Sequence, residues 1–248
     1  MAGVSSLTRS LLDLVFPPRC VNCHTLGALL CERCRATIAI PQPPLCARCG
    51  RPVLASHVDQ PCASCASCAS GRGPANMTSL RVATVYDGVM RAAILAYKFH
   101  GARRLAEPLS DLLAEAYRRE GLSADLVTHV PLHATRRRQR GYDQAQLLAR
   151  ATARRLSLPF LPGIVRRVRA TEAQTHLQGD ERVTNVAQAF ALANSAVIVR
   201  IKDRRILLID DVTATGSTLD ATAAALVEAQ TAAIYGLALS RPDDATKS

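Results

Sequence analysis

Tryptophan is absent from this 248-residue chain, and phenylalanine and tyrosine together supply only 4% of it. With hydrophobic content at 48%, that shortage assigns the core to aliphatic side chains. It also leaves few flat surfaces on which nucleobases could stack. Lysine is nearly as scarce: of 31 basic residues only Lys98, Lys202 and Lys247 are lysine, so arginine carries the net charge of +11. Planar guanidinium forks suit bidentate phosphate contacts, which points to phosphorylated ligands, nucleic acid or both, beside the plain reading of a solvated basic surface. No Gly-Lys pair occurs, which removes the P-loop that a Walker-type nucleotide site requires. No apolar run approaches the roughly 18 residues of a membrane span. The run Leu11 to Phe16 is short, carries Asp13 and lacks a small-residue cleavage site, so no export signal and a cytoplasmic location are expected.

Cysteine is confined to the first 68 residues, where all nine fall. They form four Cys-x-x-Cys pairs, Cys20/Cys23, Cys31/Cys34, Cys46/Cys49 and Cys62/Cys65, with Cys68 extending the last. Two residues between thiolates turn both sulfurs of a tight knuckle toward one metal, and two knuckles complete a tetrahedral site. Four knuckles therefore predict two structural Zn²⁺ ions. Consecutive pairing needs the shortest loops, but an interleaved arrangement stays open, as does whether Cys65 or Cys68 closes the second site. An odd count and no export signal argue against a disulfide scaffold. The spacing divides the chain into a short helix within 1–16 stopped by Pro17 and Pro18, a cysteine module over 17–68, a Ser/Gly/Pro linker over 69–79, a larger domain over 80–241 and a tail over 242–248.

The larger domain alternates strand and helix patterns, predicting an α/β fold with a mainly parallel sheet flanked by helices. Strands are expected at Arg81 to Tyr86, Asp125 into Pro131, Gly163 to Arg169, Ala196 to Ile201, Ile206 to Ile209 and Ala232 to Leu239, and helices at Val89 to Tyr97, Glu107 to Arg119 and Ala145 to Leu156. Four consecutive apolar residues, Ile206 to Ile209, suit a strand buried on both faces. Two carboxylates, Asp210 and Asp211, end it, and Thr213, Ala214, Thr215, Gly216, Ser217 and Thr218 form a small-residue loop that discharges into a helix. Open N–H groups and the positive end of a helix dipole make such a loop a phosphate cup. Carboxylates beside a phosphate must face sugar hydroxyls or a hard cation such as Mg²⁺. A ribose 5-phosphate with a charged leaving group at C1 offers all of these groups.

The stretch Ile206 to Thr218 resembles the type I phosphoribosyltransferase motif. That resemblance implies that Asp210 and Asp211 hold the ribose hydroxyls of phosphoribosyl pyrophosphate and that the loop holds its 5-phosphate. It further implies that Pro131, Leu132 and His133 occupy the place of the pyrophosphate loop. Beside them, Arg136 and Arg140 belong to a basic run that could neutralise the leaving group. A narrower resemblance, to the ComF family of competence-associated proteins, is carried by Tyr97 to Arg104, by Arg138 to Gln144 with Tyr142 and Asp143 in place of Phe and Asn, and by Thr171 to Phe190. It implies a zinc-ribbon module ahead of a phosphoribosyltransferase-like domain, pentosyl-transfer activity, and single-stranded DNA and competence proteins as partners. The residues 171–190 fall where type I enzymes carry a closing loop. The acceptor and the oligomeric state have no readable pattern, and a non-catalytic DNA-binding or metabolite-sensing protein retaining the donor site is the competing expectation.

Overall fold

The computed structural model describes residues 17–53, 68, 74–168 and 189–242. The expected N-terminal helix, Cys62, Cys65, residues 69–73 of the linker, most of 171–190 and most of the tail lie outside the described residues. In chain order the elements are α1 (Glu32–Arg35), β1 (Ser79–Val85), α2 (Gly88–Phe99), α3 (Ala106–Arg119), β2 (Leu126–His129), α4 (Ala134–Arg140), α5 (Gln144–Leu156), β3 (Val165–Arg167), β4 (Phe190–Leu192), α6 (Ala196–Ile201), β5 (Arg205–Val212), α7 (Ser217–Val227) and β6 (Ala233–Arg241).

Four strands form one parallel sheet in the order β1-β6-β5-β2. Alternate residues of β5 enter two different cores. Leu207 and Ile209 join Met90, Ile94, Leu109, Leu113 and Leu148 from α2, α3 and α5. Ile206 and Leu208 join Val197, Ile201, Leu219, Ala223 and Leu226 from α6 and α7. All four β5 residues are fully buried, each contributing about 1.5–3 kcal/mol of apolar transfer. The uniform apolar run thus reports a strand covered on both faces.

The segment Ala196–Ile201 is a helix, where its β-branched composition suggested a strand. Val197 and Ile201, four residues apart, are buried while Val199 is 84% exposed, and the Asn194 side chain accepts from the Val197 N–H at 3.2 Å. A cap and a one-sided apolar contact outweigh the intrinsic preference, which spans only tenths of a kcal/mol per residue.

The register opens the site. Pairing of β2 with β5 ends at His129 and Ile209, whereas β5 pairs with β6 as far as Val212 and Ser240. Asp210 to Val212 therefore project past the end of β2, whose chain turns away at Pro131. A crevice results at the carboxyl end of the sheet, where open α/β sheets bind ligands. The antiparallel pair β3 and β4 brackets the segment that lies outside the described residues.

Candidate functional site

A cleft of about 290 Å³ opens at that point, and its walls come from seven elements. Strand β5 supplies Asp210 and Asp211, the end of β2 supplies Pro131 and Leu132, and α4 supplies Arg136 and Arg140. Thr218 of α7, Lys98 of α2, Arg167 of β3, and Asp143 and Gln144 at the start of α5 complete it.

The two acids differ in environment. Asp211 Oδ1 lies 2.9 Å from Lys98 Nζ and accepts the Val212 N–H at 2.6 Å. Asp210 Oδ1 accepts the Asp211 N–H at 2.8 Å. Burial, reinforced by the neighbouring charge of Asp211, pushes the Asp210 carboxyl up to about 8. Asp211 is thus paired with a lysine, and the raised carboxyl of Asp210 is suited to share a proton with a hydroxyl.

Guanidinium groups of Arg136, Arg140 and Arg167 line the same cleft. Burial, followed by the charge of Arg136, draws Arg167 below its ordinary value. An anion between two like charges stabilises both. Arg140 donates to Gln144 Oε1 at 3.2 Å and its guanidinium carbon lies 5.1 Å from the centre of the Phe99 ring, which is 62% exposed.

Asp143 explains how the Pro131 turn is held. Its Oδ1 caps α5 by accepting the Gln146 N–H at 3.0 Å, and its Oδ2 accepts the Leu132 N–H at 3.0 Å. Pro131 has no N–H and that of Leu132 is engaged, so this turn offers an anion fewer backbone donors than its position in sequence suggests. His133 acts as the cap of α4, its Nδ1 accepting from the Thr135 N–H at 3.3 Å, and does not line the cleft. The positive charge lining the cleft comes instead from Lys98, Arg136, Arg140 and Arg167.

Of the loop residues, Thr218 lines the cleft; Thr213 is buried with its N–H on Ser240 O at 3.0 Å, and Ala214 and Thr215 are exposed. Gly216 adopts φ +90°, and a Cβ there would meet Leu80 Cδ2 at 2.7 Å. Only glycine fits both the backbone and the contact. Lys98, Asp143, Gln144 and Arg167 are site residues beyond those picked from sequence. Lys98 lay in a basic stretch already singled out, and Asp143 with Gln146 has the spacing of a capping box.

The cysteines form two clusters. The Sγ atoms of Cys20, Cys23, Cys31 and Cys34 all lie within 4.8 Å of one another, with Cys23 and Cys31 3.5 Å apart. Tetrahedral Zn–S bonds of about 2.3 Å require sulfurs about 3.8 Å apart, so the set fits zinc. Hydrogen bonding to Thr25 lowers the Cys23 thiol to about 5, favouring the thiolate that binds metal. Cys46, Cys49 and Cys68 form the second cluster, which places Cys68, one of the two candidates the spacing left open, beside the third knuckle. The described cysteines are free of disulfides. An Mg²⁺ ion is a different case: among the described residues the carboxylates make no three-ligand group. Two acids and a phosphorylated ligand suffice for this cation, which keeps much of its water.

Residues 11–69 match the family model described as a double zinc ribbon domain, and together with the cysteine clusters this supports structural zinc. Competence protein F of Haemophilus influenzae is 31% identical over 211 residues, covering 82% of this chain and 87% of that protein. DNA utilization protein YhgH of Escherichia coli is 31% identical over 238 residues, covering 92% and 99%. Among solved structures, adenine phosphoribosyltransferase from Thermoanaerobacter pseudethanolicus is similar at a TM-score of 0.36 and 17% identity, over 61% of this chain and 85% of that one. No described helix is long and apolar enough to cross a membrane.

Proposed function

Because the chain belongs to the family of competence protein F and DNA utilization protein YhgH, we propose that it binds phosphoribosyl pyrophosphate with Mg²⁺ in the cleft beneath Asp210 and Asp211, in the service of DNA uptake or use. The observation that carries this is the division of charge types among the residues of one cleft: Asp210 and Asp211 come from β5, and Arg136, Arg140 and Arg167 come from α4 and β3. A sugar bearing phosphates matches that division, with hydroxyls at the acids and anionic oxygens at the guanidiniums.

In this reading Asp210 and Asp211 accept the ribose hydroxyls, and Thr213 to Thr218 surround the 5-phosphate at the start of α7. Arg136, Arg140 and Arg167 hold the pyrophosphate. When bound, Mg²⁺ would supply Lewis-acid neutralisation of the pyrophosphate oxygens. An acceptor nucleophile forms its bond to C1 as the bond from C1 to pyrophosphate breaks, and the arginines stabilise the charge that accumulates on the departing group. Lys98 holds Asp211 in place through their ion pair. The zinc module over 17–68, joined by 69–79 to the donor domain over 80–241, belongs to the same reading. Saturable binding of the donor that is lost when Mg²⁺ is omitted is the expected calorimetric result; a flat titration with Mg²⁺ present would refute it.

One observation favours a second role, in which single-stranded DNA binds at the cleft mouth. The exposed Phe99 ring carries Arg140 on its face, an arrangement on which a base can stack. Phe99→Ala should weaken binding of an oligonucleotide by about tenfold while leaving its steep salt dependence intact. Equal binding by wild type and variant removes this role.

A further inference from the structure

The second cysteine cluster is packed against the loop assigned to the 5-phosphate by three separate routes. Arg51, 8% exposed and two residues beyond Cys49, donates from Nη2 to the Ala214 carbonyl at 2.7 Å. Arg48 O accepts the Leu80 N–H at 2.7 Å, and a Cβ on Gly50, whose φ is +65°, would lie 2.5 Å from Leu80 O. Leu80 in turn lies directly against Gly216. Arg241 donates to Cys49 O at 2.9 Å, and the preceding Ser240 accepts the Thr213 N–H at 3.0 Å. Arg51 is itself fixed by the knuckle, since its carbonyl accepts the Cys46 N–H at 2.8 Å.

The Arg51 contact has a consequence for charge. In a trans peptide the C=O and the following N–H point in opposite directions. Anchoring the Ala214 carbonyl on a buried guanidinium therefore sets the direction of the Thr215 N–H, and keeps a carbonyl dipole from turning toward a bound phosphate. The first cluster has other attachments: Arg35 pairs with Asp111 and Glu115 of α3, and the Val85 N–H donates to Ala39 O.

We propose that Arg51 is a positioning residue for the 5-phosphate, through which the cluster of Cys46, Cys49 and Cys68 sets the shape of the Thr213 to Thr218 loop. The proposal rests on the donor reading above, and deepens it by assigning the zinc module a part in the site. Loop and second zinc then stabilise each other reciprocally, as linkage requires.

Ribose 5-phosphate and pyrophosphate, titrated separately into the zinc-loaded full chain, resolve the two ends of the site. Arg51→Met should weaken ribose 5-phosphate by about tenfold, the loss of one charge-assisted hydrogen bond, and leave pyrophosphate unchanged. Arg51→Lys should recover part of that loss, and zinc content should match wild type in both. Unchanged ribose 5-phosphate affinity in Arg51→Met overturns the assignment, as does an equal loss for both ligands, which is the pattern of general loosening. Wild type binding neither fragment refutes the donor reading itself. A test needing no variant is capture of zinc by a chromogenic chelator: ribose 5-phosphate should slow the capture of one zinc and not the other. Identical capture with and without it contradicts the coupling.

Discussion

Asp210 concentrates the conflict between binding and stability in one side chain. Its carboxyl is raised to about 8 by burial and by Asp211, so between an ordinary carboxylate value of about 4 and that point the folded chain binds the extra proton. Stability attributable to this group therefore falls as pH climbs through the window, and the full cost is present above it. Asp210→Asn should gain on wild type as pH rises from about 6 to about 8, by an amount on the order of 1–3 kcal/mol. Urea denaturation at the two values measures it; a constant difference would contradict the account. Asp210 and Asp211 were readable from sequence because strand, acids and loop are contiguous there. Arg167 was not, since it reaches the cleft from β3, and nothing local to it announces a ligand. Leu132 was readable by position, but the engagement of its N–H by Asp143 depends on a fold contact eleven residues away.

Elements set the angles at which these side chains meet. Helix α5 starts at Asp143, whose carboxylate caps the helix and tethers the turn after β2. Asp143→Ala removes a cap worth about 1 kcal/mol and strands a second N–H worth about 1–3 kcal/mol. A combined loss of about 2–3 kcal/mol in denaturant unfolding is expected, with weakened pyrophosphate binding as the Pro131 turn is released. A change under about 0.5 kcal/mol, the size of an ordinary surface substitution, would show that the tether is unimportant. The main elements followed from period and punctuation: β5 from its apolar run, α3 and α5 from their one-sided faces. Helix α6 did not, because its Val and Ile content resembles a strand and only the Asn194 cap and the contact of Val197 and Ile201 with the second core decide otherwise.

At the scale of the whole molecule, two cysteine clusters dock on different parts of one α/β domain. The first faces α3 through Arg35, and the second is joined through Arg51 to the Thr213 to Thr218 loop proposed to hold phosphate. Cysteine spacing announced metal-binding knuckles and left consecutive and interleaved pairing open; the fold brings Cys20, Cys23, Cys31 and Cys34 together. Spacing could not reveal docking, which depends on arginines and carbonyls that carry no spacing pattern. Cys34→Ser should lower zinc from two ions to one per chain by elemental analysis, and should reduce thermal stability while sparing ribose 5-phosphate binding more than loss of the second site does. Retention of two ions would contradict the cluster. The central claim is that the acids at the end of β5 hold a phosphorylated ribose donor. Calorimetric titration of phosphoribosyl pyrophosphate with Mg²⁺ into wild type and into the Asp210→Asn, Asp211→Asn double variant tests it most directly. The account predicts saturable binding by wild type and none by the variant, with matching circular dichroism and zinc content; equal binding by both would contradict it.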